Sequence, residues 1–291
     1  MEDLTGIDPG KPVLIAGPTA SGKSALALRI ARAQGRVIVN ADALQVWSCW
    51  RILSARPTPE DEADVPHLLF GHMSPGKDYS VGHWLREVTA VLARHPAPVI
   101  VGGTGLYLGA LTEGLADIPP VPAVIRAEAD RRMATEGASA MLAALDRASR
   151  GRVDPLNPAR IQRAWEVLRA TGRGLADWQD ATGPGLLPEG SATRLWLDCN
   201  RDWLAERIDR RFDAMIGAGA LAEVAAVLPQ WKPRALWARA IGAPELVAYL
   251  QGVMTLPDAI SAAKVASRQY AKRQRTWLRR RMGHWTALKI A

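Results

Sequence analysis

The residues best suited to chemistry cluster early in the chain. Gly17-Pro18-Thr19-Ala20-Ser21-Gly22-Lys23-Ser24 fits G-x-x-x-x-G-K-[ST] at every position. Glycines at this spacing let backbone N–H groups turn inward around phosphate oxygens, and a helix starting there adds its positive dipole end. Lys23 would neutralise the outermost phosphate oxygens, and the Ser24 hydroxyl would ligate Mg²⁺. The loop is therefore expected to hold a di- or triphosphate. Hydrolytic enzymes built on such a loop hold the metal with an acid that ends a second strand. Here the apolar run Val99-Ile100-Val101 ends in Gly102-Gly103-Thr104 with no acid, and Asp42, ending a different run, is the well-placed carboxylate. A lone carboxylate beside a phosphate cradle suits a general base that takes a proton from an acceptor's hydroxyl or amine. Thr104, at its own strand end, is placed to donate to an oxygen leaving with the diphosphate or to cap a helix, and the two roles are compatible. Group transfer to an acceptor is the chemistry these residues describe.

Those side chains need strands and helices to hold them. Lys11 to Ala16 reads as a buried parallel strand feeding the loop, and Ala25 to Ala31 as the helix that follows it. Arg36 to Asn40 and Pro98 to Val101 read as two more buried strands, the second followed by a helix from about Leu106. Alternating continuous apolar strands with helices predicts an α/β fold, a P-loop NTPase-like parallel sheet flanked by helices. Prolines at 119, 120 and 122 mark a boundary, beyond which Ala123 to Arg150 and Pro158 to Thr171 read as helices with no convincing strand. This gives a core from 1 to 118, an α-helical insertion domain from 119 to 190, and core completion from 191 to 291. In the last part Thr193 to Asp198 resumes the sheet pattern. Helices are expected at about 202–217, 220–228, 244–251 and 257–282, with a short strand at Trp285 to Ile290.

Composition excludes several classes. The chain has 291 residues, 48% of them hydrophobic and 23% charged, enough to bury a core. Two cysteines, Cys49 and Cys199, are too few for a disulfide framework or a structural zinc site. The acidic start Met1-Glu2-Asp3 and the lack of an apolar run of about 18 residues argue against a signal peptide or a membrane span. A soluble, cytoplasmic protein without a membrane partner is expected. The net charge is +8, and the nine cations after Asp258 carry all of that excess. Lys264, Arg268, Lys272, Arg275 and Arg279 follow helical spacing, and such a ridge would position a polyanion's backbone, folded RNA above all, without reading its sequence. Tyr270 and Trp277 fall on another face and are expected to pack against the body.

Several separated segments together resemble one family, the tRNA dimethylallyltransferases (tRNA isopentenyltransferases). Besides the phosphate loop, Asp42-Ala43-Leu44-Gln45-Val46-Trp47 resembles the family's Asp-Ser-x-Gln-x-Tyr block. Val65-Pro66-His67-Leu68, Tyr79-Ser80, Val101 to Tyr107, Asn157 to Glu166 with Thr171-Gly172, and Arg207 to Phe212 match in order and spacing. The terminal block Arg268 to Trp277 is the most distinctive after the loop. The resemblance implies transfer of a dimethylallyl group from its diphosphate to N6 of the adenosine 3′ of a tRNA anticodon, with Mg²⁺ as cofactor and a monomeric enzyme. Gly17 to Ser24 would then hold the donor's diphosphate, with Arg207 and Arg211 as a second clamp. Asp42 would be the base on the N6 amine, Thr104 would assist the departing diphosphate, and Lys23 would act on both binding and chemistry. Asp42, Ala43, Leu44, Gln45 and Thr104 would meet the extruded adenosine. Arg126, Ala159, Arg160, Ile161, Gln162 and Arg163 match positions that touch tRNA, and Arg268, Lys272 and Arg275 lie on the basic ridge. The chain departs from the family pattern at Ala43, Trp47, Leu53, Arg56 and Ala243, which places the departures on the side of the acceptor base. A prenyltransferase of free adenine nucleotides, a small-molecule kinase of the same loop class and a non-catalytic RNA-binding protein are the alternatives.

Overall fold

The computed structural model describes residues 6–290; the acidic start Met1-Glu2-Asp3 lies outside them. The chain runs β1 (Val13–Ala16), α1 (Lys23–Gln34), β2 (Ile38–Asn40), α2 (Pro59–Asp64), β3 (His67–Leu68), α3 (Val81–Arg94), β4 (Val99–Gly102) and α4 (Gly105–Glu113). Five helices follow: α5 (Ala123–Thr135), α6 (Gly137–Ala143), α7 (Arg147–Arg152), α8 (Pro158–Thr171) and α9 (Leu175–Asp180). The chain then returns through β5 (Thr193–Cys199), α10 (Arg201–Gly217), α11 (Ala220–Val227), α12 (Ala243–Leu250), α13 (Leu256–Arg281) and β6 (Thr286–Ile290).

All six strands form one parallel sheet in the order β3-β2-β4-β1-β5-β6. The four residues of β1, at its centre, are wholly buried, as expected of a strand covered on both faces. Side chains alternate between two cores. Leu14, Ala16, Val39 and Ile100 join Trp84 and Leu108 on one face, while Val13, Ile15, Ile38 and Val99 join Leu26 and Ile30 on the other. From β1 the chain first builds outward to β2 and β3, then after β4 to β5 and β6 on the opposite side. Ligands of such sheets bind where the strand order reverses, beyond the strands' C-terminal ends.

Residue contacts divide the chain into two compact units, one holding the sheet and the other spanning Thr112–Leu186. The second unit has its own core of Ala129, Met141, Leu145, Ile161, Ala164 and Trp165. The single helix expected from Ala123 to Arg150 is three helices. Gly137 adopts the left-handed φ of +80°, which interrupts the first helix, and the Asp146 side chain caps α7 by accepting from the Ser149 N–H at 2.8 Å. Four elements lie outside the sequence expectations. The strand β3 is only two residues long and the helices α2 and α9 only six each, while α3 is capped by Ser80 and buries Trp84, Val88 and Val91 as a stripe. Among the described residues, no single helix is long and apolar enough to cross a membrane.

The ends of β2 and β4 meet so closely that position 102 must be glycine: a Cβ there would lie 2.0 Å from the Ala41 carbonyl oxygen. Gly102→Ala should cost about 1–3 kcal/mol in urea unfolding, since backbone meets backbone and neither can yield. Gly109→Ala, inside α4 where a Cβ meets nothing nearer than 3.9 Å, should instead stabilise by about 0.5–1 kcal/mol.

Candidate active site

The phosphate loop leaves the central strand and turns into α1 as the spacing predicts. Ala20, at φ +60°, and Gly22, at φ +94°, both take left-handed conformations, which turns the intervening amides inward. An alanine in that region stores strain of about 1 kcal/mol, a cost found at functional turns. Arg207, on α10, donates from Nε to the Ala20 carbonyl at 3.0 Å and stacks over Trp203. Arg211, one turn further, brings its guanidinium within 3.5 Å of Thr19 Oγ1. Arg207 and Arg211 therefore face the loop from the opposite wall, and together with Ala20 to Ala25 they line a groove.

Lys23 is buried and its ammonium donates to the Pro18 carbonyl at 3.2 Å. Burial lowers its pKa from 10.5 to about 8; Asp42 opposes this by its negative charge and Arg211 reinforces it. Burial likewise lowers the pKa of Arg211. Two cations held this way are poorly solvated until an anion enters the groove.

Asp42 and Thr104 sit side by side because the two strand ends are cross-bonded. Ala41 donates to Val101 O at 2.8 Å, Thr104 N–H to Ala41 O at 3.2 Å, and Ala43 N–H to Thr104 Oγ1 at 2.9 Å. The Thr104 oxygen is thus an acceptor towards Ala43, which leaves its O–H to donate elsewhere. Asp42 Oδ1 accepts from the Leu44 N–H at 3.0 Å, while a Cβ on Gly103 would stand 3.4 Å from Oδ2. Asn40, wholly buried, was not singled out by the sequence, yet it fixes this turn. Its Oδ1 accepts from the Asp42 N–H, and its Nδ2 donates to the carbonyls of Asp42 and Leu69. The signal was an asparagine at the end of an otherwise apolar strand.

Gln274 is the second residue that sequence reasoning missed. From α13 its Oε1 accepts from the Thr19 N–H at 2.9 Å and its Nε2 donates to Gly103 O at 3.0 Å. One buried amide thus ties the phosphate loop to the turn before Thr104. Trp277 on the same helix covers Gly105 and packs against the body as expected, whereas Tyr270 lines a cleft that also holds Asp42.

Beside the groove opens a cleft with Thr19, Asp42, Ser54, Arg211, Ser267 and Tyr270 on its polar side and Leu44, Leu53, Ile208, Phe212, Met215 and Ile241 as apolar walls. The groove and the cleft share Ala20 and Arg211 as lining residues. A family model described as IPP transferase matches residues 45–281, and one described as isopentenyl transferase matches residues 11–66. The chain belongs to the IPP transferase family. A tRNA dimethylallyltransferase of Cereibacter sphaeroides is 63% identical over 284 residues, 98% of each chain. One from Paracoccus denitrificans is 58% identical, covering 99% of this chain and 97% of its own. The tRNA isopentenylpyrophosphate transferase of Bacillus halodurans superposes with a TM-score of 0.67 at 30% identity, over 96% of this chain and 90% of that one. A eukaryotic dimethylallyltransferase shares the fold, with a TM-score of 0.83 at 24% identity over 96% of this chain and 73% of its own.

In this IPP transferase several expected contacts fall differently. Ile161 is wholly buried in the core of the helical unit and presents no side chain to RNA, because it lies on the apolar face of α8. Arg126, Ala159, Arg160 and Arg163 are exposed, and Gln162 is held by Asp130 and Glu166. Gln45 donates its amide to Ser54 O and Ala55 O, both at 2.9 Å, so it braces a loop. The ridge of α13 is not continuous: Lys264 pairs with Asp213 and Arg268 with Asp209, both on α10, and Arg279 pairs with Asp198. Arg275 is half-buried and its positive charge opposes the burial that pushes the Cys199 thiol up to about 11, while Lys272 stays exposed. Helical spacing alone is blind to acids on a neighbouring element. Trp47 and Ala243 lie in the core rather than at a base site, and Leu53 lines the cleft.

Because the Lys23 pKa is depressed, its charge is lost as pH rises through about 8. The kcat/KM for a diphosphate substrate, which reports the free enzyme, should therefore fall about tenfold per pH unit above that point. The corresponding limb in kcat should lie at higher pH, since bound phosphate restores the charge. Gln274→Leu should cut kcat/KM by about tenfold or more while shifting the unfolding midpoint little; that loss scales with a buried N–H and C=O left unpaired next to the reacting groups.

Proposed function

We propose that this chain transfers a dimethylallyl group from dimethylallyl diphosphate to the exocyclic N6 of an adenosine beside a tRNA anticodon. The observation that carries the reading is that the phosphate groove adjoins, through the shared residues Ala20 and Arg211, a cleft that holds Asp42 and has Leu44, Leu53, Ile208, Phe212, Met215 and Ile241 on its apolar side. Those apolar side chains suit a hydrocarbon tail. The relatives' names supply the acceptor, since the chain resembles enzymes called tRNA dimethylallyltransferases along nearly its whole length.

In this mechanism the amine nitrogen attacks the donor's terminal carbon as the carbon–oxygen bond to diphosphate breaks. Asp42 takes the proton from nitrogen. The charge that appears on the leaving oxygens is met by Lys23, Arg211, Arg207, the loop amides and the Thr104 hydroxyl, all fixed before reaction. Magnesium fits the residues present. This ion keeps several waters and takes one or two protein ligands beside substrate phosphates, so the exposed Ser24 hydroxyl at the groove suffices. The ion would supply further neutralisation of the diphosphate. The adenosine must leave its stack to bring N6 to Asp42. Exposed cations at Arg126, Arg160 and Arg163 on the helical unit and at Lys272 and Arg273 on α13 supply contacts for RNA phosphates.

Labelled dimethylallyl diphosphate and unmodified tRNA, followed by nucleoside analysis, test the assignment. Prenylated adenosine is the expected product, and phosphate transfer from ATP to a small acceptor in its place would overturn the reading. At pH 7, Asp42→Ala should reduce turnover by about 100-fold or more while pyrophosphate inhibits as in the parent.

A further inference from the structure

We propose that Leu53 limits the length of the hydrocarbon tail the cleft accepts, and that Glu223 holds it in place to do so. This inference rests on reading the cleft as the donor's hydrocarbon site. Leu53 lines the cleft and is only 7% exposed, and it belongs to the same core cluster as Phe212, which lines the cleft beside it. The two meet at Gly242. A Cβ there would lie 2.7 Å from the Phe212 ring and 3.4 Å from Leu53 Cδ2, and the glycine's φ of +92° suits no other residue well. Leu53 and Phe212 therefore line the cleft with Gly242 between them, and Trp50 and Trp237 of the main core belong to the same cluster.

A wall limits chain length only if it cannot swing away. The backbone of Leu53 is pinned from an element distant in sequence. Glu223 on α11 accepts the N–H groups of Arg51 at 2.6 Å and Ile52 at 2.9 Å through Oε1, and that of Leu53 at 2.9 Å through Oε2. On the far side of Leu53, Gln45 holds the carbonyls of Ser54 and Ala55. One carboxylate receiving three successive amides is a strong, directional anchor. On this proposal a five-carbon branched tail ends at the wall, and a ten-carbon tail is accepted only when the Leu53 side chain is absent or its loop is released. A rigid hydrophobic pocket discriminates by exclusion in this way.

The test compares five-carbon and ten-carbon allylic diphosphates as donors with unmodified tRNA. Leu53→Ala should raise the ten-carbon to five-carbon ratio of kcat/KM by about tenfold or more, with inhibition by inorganic pyrophosphate unchanged. Glu223→Gln, which alters no cleft side chain, should move the ratio in the same direction. Leu53→Val, a smaller change that preserves the core, should do so by a lesser amount. A ratio that stays within about twofold of the parent in all three, with pyrophosphate inhibition intact, overturns the role of Leu53. Failure of the parent enzyme to transfer either tail to RNA would instead sink the reading of the cleft itself.

Discussion

The site depends on the way two adjacent strand ends share hydrogen bonds after the ladder between them has ended. Beyond Asn40 and Gly102 the backbones of β2 and β4 continue to exchange contacts through Ala41, Ala43 and Thr104, the last through its side-chain oxygen. This extension carries the carboxylate and the hydroxyl to the same level above the sheet. It is possible only because Gly102 lets the two chains touch. Asn40 below and Gln274 above then lock the pair to the core and to the phosphate loop. The precision expected of a reacting geometry is thus supplied by backbone amides and carbonyls rather than by flexible side chains.

Against that rigid frame the cations are held at a disadvantage. Lys23 is buried and Arg211 half-buried, and Ala20 carries a left-handed backbone. Each feature raises the free energy of the empty site and is relieved when phosphate oxygens enter. On the proposed function, such preorganisation places stabilisation where negative charge develops during bond cleavage.

How much of this was legible in the sequence depended on whether a residue's role is local. The loop motif, the parallel sheet and the positions of Asp42 and Thr104 follow from short-range patterns, a glycine spacing and apolar runs that end in polar residues. Asn40, Gln274 and Glu223 do not, because their partners lie at long sequence separations or on backbone atoms that no side-chain pattern records. The charge periodicity of α13 was legible but its meaning was not. Asp209 and Asp213 repeat on α10 with the same four-residue step as Lys264 and Arg268, so the two helices mesh by ion pairs. Partly exposed pairs of this kind contribute little to stability, and the direction in which Gln274 points follows from the buried face it shares with Ala259, Ala263, Ala271 and Leu278. The break of the expected helix at Gly137 was visible as a glycine, but only its left-handed torsion shows that the helix stops.

The position of Gln274 also bears on when the enzyme becomes competent during its synthesis. The phosphate loop leaves the ribosome well before the amide that completes it, which lies 255 residues further along the chain on α13. The central strand likewise waits for β5 before both its edges are paired. A growing chain therefore carries the phosphate loop unbraced until the residues of α13 have been added.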